Sequence, residues 1–336
     1  MPERILITGG CGFIGSNFIR LLMEQRDDVH IVNLDKLTYA GTRENLSDLE
    51  GSGRYQFVQG DVADAKKVRE IFDNRHIDGI IHFAAESHVD NSISGPEPFV
   101  RTNIDGTFVL LEAARNFWTC SLEKPSSRRF LHISTDEVFG SLGAEGHFDE
   151  NSCYRPNSPY SASKAASDLL VRSYHKTYGL NTVISNCSNN FGPYQHREKL
   201  IPTVIRKALA GEGIPIYGEG KNVRDWLYVE DHCEALLRIY YNAPAGANYV
   251  IGGGNELSNI DLVRRICGIL DRLQPLESGK SYTDQIQFVA DRPGHDFRYA
   301  VDDKKVRREL GWAPRTRFEK GLEATVGWYI DIIKSA

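Results

Sequence analysis

Two short stretches of this 336-residue chain carry side chains whose types and spacing could do acid–base chemistry. Tyr160-Ser161-Ala162-Ser163-Lys164 sets a phenol and an amine four residues apart, on one face of a helix. A phenol with an unperturbed pKa of about 10 is a poor base at neutral pH, but a neighbouring ammonium stabilises the phenolate and lowers that value. Tyr160 then becomes usable as a general base. The second stretch is Ser134-Thr135-Asp136-Glu137. Two adjacent carboxyls cannot both stay ionised cheaply in a low-dielectric cleft, so one protonated and one ionised group is the natural compromise, an acid and a base in one place. Taken alone, the first pattern is also a surface pair and the second an acidic turn. Position decides between these readings.

The elements that would supply the position are legible in the first half. Apolar, β-branched runs at 4–8, 30–34, 55–59, 79–83, 129–134 and 181–185 alternate with helical patterns at 14–25, 66–74, 99–117 and 160–178. Strict alternation predicts an α/β fold, a Rossmann-type doubly wound parallel sheet covered on both faces with right-handed crossovers. Asp136 and Glu137 then fall at the carboxyl end of the fifth strand, where open α/β sheets gather their reacting groups. After about residue 186 turn-rich pieces separate short helices, which predicts a smaller substrate-binding domain over that edge. The expected division is 1–185 for dinucleotide binding, with a segment near 226–252 returning to it, and 186–336 mainly for substrate. Residues 140–159, rich in Gly, Pro and polar types, read as a surface loop leading to the Tyr160 helix. No internal repeat or low-complexity segment is present.

Between the first strand and first helix stands Thr8-Gly9-Gly10-Cys11-Gly12-Phe13-Ile14-Gly15. Gly9, Gly12 and Gly15 meet the demands of a tight turn, bare backbone against a pyrophosphate, and close helix–sheet packing. The helix N-terminus adds free N–H groups and a positive dipole end. Asp35 ends the second strand 20 residues after Gly15, placed to accept both ribose hydroxyls and to repel a 2′-phosphate. NAD is therefore favoured over NADP, with Lys36 tempering the preference. Asp61-Val62 is placed for an adenine edge. The rival reading, a glycine turn plus a solvated aspartate, does not account for this placement. Small residues in Phe83-Ala84-Ala85-Glu86-Ser87-His88-Val89-Asp90 would let backbone approach the cofactor, and His88 reads as a structural hydrogen-bonding residue. Lys164 has the length to reach the nicotinamide ribose.

Arg224 and Arg292 are candidate diphosphate partners through the planar guanidinium, and Lys199, Asn189 and Tyr217 would complete an anionic pocket. His295 lies in a turn-rich loop with its role open. None of the 10 histidines forms H-x-x-x-H or a His–Cys cluster, so no metal is expected. Hydrophobic residues at 41% and charged residues at 25% are ordinary for a soluble globular protein. A net charge of −5 without a long basic run argues against nucleic acid, with Lys66-Lys67 and Arg307-Arg308 read as solvated helix faces. Cysteines at 11, 120, 153, 187, 233 and 267 show no C-x-x-C pair. With no signal peptide and no run of about 20 apolar residues, a cytoplasmic protein with reduced thiols and no membrane partner is expected.

Together the glycine loop and Tyr160-x-x-x-Lys164 resemble the extended short-chain dehydrogenases/reductases. Within them, Ala84–Asp90, Ser134–Gly140, Cys187–Tyr194, Arg224–His232 and Asp291–Asp296 are similar to the dTDP-glucose 4,6-dehydratases. The resemblance implies that Phe13, Ile14, Asp35, Lys36, Leu37, Thr38, Asp61, Val62, Thr102, Tyr160, Lys164 and Asn190 touch NAD, with the backbone of Phe83, Ala84, Ala85, Glu86 and Ser87. It implies that Ser87, Thr135, Asn189, Lys199, Leu200, Pro215, Ile216, Tyr217, Arg224, Asn259, Asp291, Arg292 and His295 hold dTDP-glucose. The catalytic set would be Thr135, Asp136, Glu137, Tyr160 and Lys164. Tyr160 takes the C4 hydroxyl proton as C4 is oxidised, Glu137 removes the C5 proton, protonated Asp136 releases the C6 hydroxyl as water, and C6 is then reduced. The product is dTDP-4-keto-6-deoxyglucose, and a homodimer formed through 99–117 and 160–178 is implied. Phe139 and Phe297 depart from the commonest pattern of these enzymes, where Tyr and a basic residue are frequent.

Two other functions compete. A nucleotide-sugar 4-epimerase would share fold, NAD, Tyr160 and Lys164 but needs no acid–base pair for a C5–C6 elimination. A non-catalytic NAD-binding regulator would be expected to have lost Tyr160 or Lys164, and both are present.

Overall fold

The computed structural model describes residues 2–119 and 128–335, so Cys120 lies outside the described residues. The chain runs β1 (Glu3–Thr8), α1 (Phe13–Gln25), β2 (Val29–Asp35), β3 (Tyr55–Gln59), α2 (Ala65–Asn74), β4 (Gly79–His82), α3 (Val89–Ser94), α4 (Glu97–Phe99), α5 (Gly106–Thr119), β5 (Arg129–Thr135), α6 (Pro159–Tyr178) and β6 (Thr182–Cys187). It continues through β7 (Asn189–Phe191), α7 (Leu200–Leu209), β8 (Ile214–Tyr217), β9 (Val223–Tyr228), α8 (Val229–Asn242), β10 (Asn248–Ile251), β11 (Glu256–Ser258), α9 (Asn259–Leu273), β12 (Ile286–Val289), α10 (Lys304–Leu310) and α11 (Phe318–Ser335).

Seven strands form one parallel sheet in the order β10-β6-β5-β4-β1-β2-β3, the doubly wound Rossmann-type arrangement expected. Its strands are apolar on both faces because helices cover both. Ile5 and Ile7 enter one core with α1 and α8, and Leu6 the opposite one with α2 and α5. A further core gathers Ile205, Trp226, Leu262, Ile266 and Leu322 among α7, α9, α11 and β9. Two small sheets, β11-β9-β7 and β12-β8, border it.

Three local departures from the sequence reading have physical causes. The pattern at 99–117 is not one α-helix: Val100–Asp105 is a π-helical turn between α4 and α5. The wide turn carries Asn103, whose side chain accepts from Glu86 N (2.9 Å) and donates to Glu86 O (3.1 Å). Second, 140–159 is not a free surface loop. It is pinned to the chain at 298–301 by bridges Leu142↔Arg298 and Phe148↔Val301, with Phe148 stacked on Phe139 at 5.3 Å. Third, β6 extends to Cys187, which pairs with Thr135 and lengthens the sheet just where the acidic dipeptide begins. Among the described residues no helix is long and apolar enough to cross a membrane.

Candidate active site

A cleft of about 300 Å³ lies along the carboxyl ends of the central strands. At its β1 end Gly9 adopts φ +70, and a Cβ there would lie 2.6 Å from Ala84 N. A Cβ on Gly15 would lie 2.3 Å from Gly9 O, whereas one on Gly12 would meet only Gly9 O at 3.3 Å. The first and third glycines are thus demanded by packing. The second leaves bare backbone facing the cleft at the start of α1, whose first turn holds no acidic side chain.

Asp35 closes the adjoining wall. Its carboxylate accepts from Cys11 N (2.9 Å) and Leu37 N (2.8 Å), the latter made possible by a left-handed Leu37 at φ 58. Each oxygen retains a lone pair for a ribose hydroxyl. Lys36 does not face Asp35; its Nζ pairs with Asp61 Oδ2 at 2.9 Å, which ties the β2 loop to the β3 loop. The cleft is lined as well by Phe13, Ile14, Thr38, Val62, the Phe83–Ser87 run, Thr102 and Asn190. These features fit the adenosine, pyrophosphate and nicotinamide portions of NAD. Leu37 contributes its N–H to Asp35 rather than lining the cleft.

At the other end α6 presents Tyr160 and Lys164. The helix starts cleanly: Ser158 and Ser161 form a reciprocal capping box and Pro159 occupies the first turn. Tyr160 is 9% exposed and Lys164 4%. The sequence reading has Lys164 lowering the Tyr160 pKa; the structure reverses that direction. Lys164 Nζ donates to Ile133 O at 2.7 Å, while burial and the nearby Glu137, Cys187 and Asp136 push the phenol well above its ordinary value. A hydrogen bond with Thr135 works the other way. Burial also brings Lys164 down to about 8.

Thr135 ends β5, and its Oγ1 caps the turn Asp136–Phe139 by accepting from Glu137 N at 3.3 Å. Asp136 is 1% exposed; its Oδ2 has no partner, and burial, Glu137 and Asp225 raise its pKa well above the carboxylate range. Glu137 is half-buried, and burial raises its pKa too, opposed by the cations Arg224, Lys199 and Arg292. The two carboxyls therefore have different surroundings, which favour a protonated Asp136 beside an ionised Glu137.

Beneath them lies a polar layer that sequence reasoning missed. Asp168, one turn beyond Lys164, accepts from Ser134 Oγ (2.9 Å), Tyr154 OH (2.9 Å) and Asn186 Nδ2 (3.0 Å), and its Oδ1 lies 3.2 Å from His132 Nε2. His132 Nε2 is also 3.5 Å from Lys164 Nζ. The available signal was the i, i+4, i+8 spacing of Tyr160, Lys164 and Asp168. Glu198, which also lines the cleft, was missed although it neighbours Lys199.

Of the substrate residues expected, Ser87, Thr135, Asn189 and Lys199 line the cleft, with Lys199 Nζ donating to Ser87 O at 3.0 Å. Asp90 joins Arg292 Nη1 (2.9 Å) to Tyr217 OH (3.3 Å), and His295 Nδ1 lies 2.6 Å from Asp291 Oδ1, so these four expected positions share one neighbourhood. Arg224 is not a free guanidinium. Its Nη groups donate to the carbonyls of Val223, Phe297 and Asp296, and it lies over the Tyr299 ring. Ile216 points into the α7–α9 core at 2% exposure, so only its backbone is open to a ligand, while Pro215 beside it is half-buried. Leu200 and Asn259 open α7 and α9 outside the lining of the cleft. His88 caps α3 by accepting from Asn91 N, as a structural histidine would. Phe139 is buried among Val138, Phe148 and Tyr299 and Phe297 is exposed, so neither departure faces the cleft. Among the described residues no His, Cys, Asp and Glu cluster is arranged to hold a metal ion.

The sequence profile of the GDP-mannose 4,6 dehydratase family matches residues 6–325. The chain is 53% identical over 341 residues to dTDP-glucose 4,6-dehydratase 1 of Escherichia coli K12, covering 98% of this chain and 94% of that protein. It is 52% identical over 326 residues to the dTDP-glucose 4,6-dehydratase of Xanthomonas campestris pv. campestris B100, covering 97% and 92%. The dTDP-glucose 4,6-dehydratase of Streptomyces venezuelae, solved with NAD and dTDP bound, superposes with a TM-score of 0.88 at 45% identity over 98% of this chain and 97% of that one. The UDP-glucose 4-epimerase of Thermotoga maritima, solved with UDP-glucose, superposes with a TM-score of 0.86 at 26% identity, over 98% and 100%.

Proposed function

The chain belongs to the GDP-mannose 4,6 dehydratase family, and from that membership and its site we propose the reading that follows. It is an NAD-dependent hydro-lyase that converts dTDP-glucose to dTDP-4-keto-6-deoxyglucose and water. The observation that carries this reading is the pair of unlike carboxyls, Asp136 without a partner at Oδ2 and Glu137 among three cations. An elimination across C5–C6 needs an acid and a base at once, and a 4-epimerase needs neither.

When bound, NAD supplies the reversible two-electron oxidation, first at C4 and then in the opposite sense at C6. Tyr160 takes the proton of the C4 hydroxyl, with Thr135 polarising that oxygen and Lys164 holding positive charge nearby. The C4 ketone acidifies the C5 proton, which Glu137 removes. Asp136 donates to the departing C6 hydroxyl, which leaves as water, and Glu137 returns its proton to C5. Asp35, the glycine loop and the Phe83–Ser87 backbone hold the cofactor through the cycle. Lys199, Asn189, Arg292, Tyr217 and His295 face the nucleotide sugar, and Arg224 acts on Glu137 through its charge.

The same reading assigns 1–185, with 226–252, to the cofactor and most of 186–336 to the substrate; the pairing of β10 with β6 supports the return of the later segment. It makes the protein a homodimer through α5 and α6, and cytoplasmic, in keeping with its scattered free cysteines. Incubation with dTDP-glucose and, separately, UDP-glucose tests it. The 4-keto-6-deoxy product absorbs in alkali and should form from dTDP-glucose, whereas a galactose product would establish epimerisation instead. In Glu137→Gln, C4 oxidation should persist as reduced-cofactor absorbance while product formation falls about 10²–10⁴-fold; parental turnover would sink the assignment of Glu137.

A further inference from the structure

Counting protons through that reaction leaves one displaced. Tyr160 gains the C4 hydroxyl proton, Asp136 loses one to the departing water, and Glu137 returns to C5 what it took. A turnover therefore ends with a Tyr160 phenol and an Asp136 carboxylate, whereas the next one needs a phenolate and a carboxylic acid. Both groups are buried away from bulk water, at 9% and 1% exposure. One hydroxyl touches both: Thr135 Oγ1 donates to Asp136 Oδ1 at 3.3 Å and is hydrogen-bonded to Tyr160.

We propose that Thr135 relays the proton from Tyr160 back to Asp136 between turnovers, so that one shared proton readies the base and the acid together. A hydroxyl holds one hydrogen and two acceptor lone pairs, so it can receive on one side while giving on the other. The Tyr160 O–H bond breaks as a new bond forms to Thr135 Oγ1. The original Thr135 O–H bond breaks as one forms at Asp136 Oδ1, and the negative charge passes from carboxylate to phenolate. No oxidant, reductant or net proton is required. The Glu137 N–H donating to the same Oγ1 helps keep the threonine hydrogen directed at Asp136. Because Asp136 Oδ2 has no partner, rotating the carboxyl breaks only the Thr135 contact and turns the acid toward the cleft. The warrant is the dielectric: a pair sharing one proton carries one negative charge, where two would be costly.

This inference rests on the dehydratase reading and is tested with the NAD-loaded protein. Thr135→Val keeps the side-chain shape and removes the hydroxyl; Thr135→Ser restores it. In Thr135→Val the proton must pass through solvent, so turnover should fall by roughly tenfold or more and rise again with added imidazole at fixed pH and ionic strength. The parent and Thr135→Ser should ignore imidazole. A Thr135→Val enzyme that is slow but indifferent to imidazole, or as fast as the parent, overturns the relay and leaves Thr135 as a polarising group. Absence of any 4-keto-6-deoxy product from the parent would instead remove the dehydratase reading. Retained cofactor content in both variants shows that the fold is intact.

Discussion

Asp136 and Glu137 are neighbours in sequence, yet one faces Asp225 and a buried wall while the other faces Arg224, Lys199 and Arg292. The Asp136 pKa is raised in the folded state, so the stability this carboxyl contributes is present below its unfolded value and lost as pH rises toward the folded one. Asp136→Asn removes that loss. The variant should gain thermal stability over the parent, by more at pH 8 than at pH 5 in matched melts, while turnover drops about 10²–10⁴-fold. Glu137 responds to a different lever. Lys199 lowers its pKa, so Lys199→Met should move the acid limb of the kcat/KM profile to higher pH; an unmoved limb would mean that the base lies elsewhere. That the dipeptide could supply an acid and a base was legible in the sequence. Which residue would be which was not, because the deciding charges come from β9 and from the chain near 199 and 292.

The i, i+4 spacing put Tyr160 and Lys164 on one face, and α6 presents both to the cleft. What lies behind them depends on the register of β5 against β6, which sets His132, Ser134 and Asn186 against Asp168. Sequence periodicity cannot specify register between parallel strands joined by a long crossover, so the polar layer was invisible. The three- and four-residue strands after β6 are too short for a period to appear. His132 gives that layer a measurable signature. Burial and Lys164 lower its pKa from 6.5 to about 4, so the neutral ring contributes stability above its unfolded value that is lost as pH falls through the folded one. A shift of that size corresponds to something on the order of 3 kcal/mol. Urea denaturation of the parent should show this loss between pH 6.5 and 4, and His132→Asn should show a shallower slope there. Equal slopes would mean that the ring is already charged. Removing Asp168 has a larger consequence: Asp168→Ala strands three donors and the nearby Lys164 ammonium, and should cost about 3–5 kcal/mol.

At the scale of the molecule, the doubly wound sheet followed from alternation, whereas the seventh strand had to be read from a late segment, since β10 is four residues long and reaches β6 only after the chain has built β7, β8, β9 and α8. The outer face of the fold poses a separate question. Val100 (49% exposed), Phe108 (46%), Leu169 (56%) and Tyr178 (48%) lie on the π-turn, α5 and α6. The two helices pack side by side. Scattered single apolar residues are ordinary on a surface, but large side chains on adjacent helices are the material of a subunit interface, which buries about 800 Å² per partner. Two copies meeting through this face would pair α5 and α6 with their equivalents in a four-helix contact, since a two-fold interface presents one patch to itself. Each protomer would then stiffen the helix that carries Tyr160 and Lys164 in the other. Phe108→Glu with Leu169→Glu places like charges across such an interface and deletes its apolar contacts, so light scattering should report monomers where the parent is dimeric. The melting temperature should lose its dependence on protein concentration at the same time. A parent that is already monomeric at micromolar concentration would leave these side chains as surface residues and withdraw the dimer.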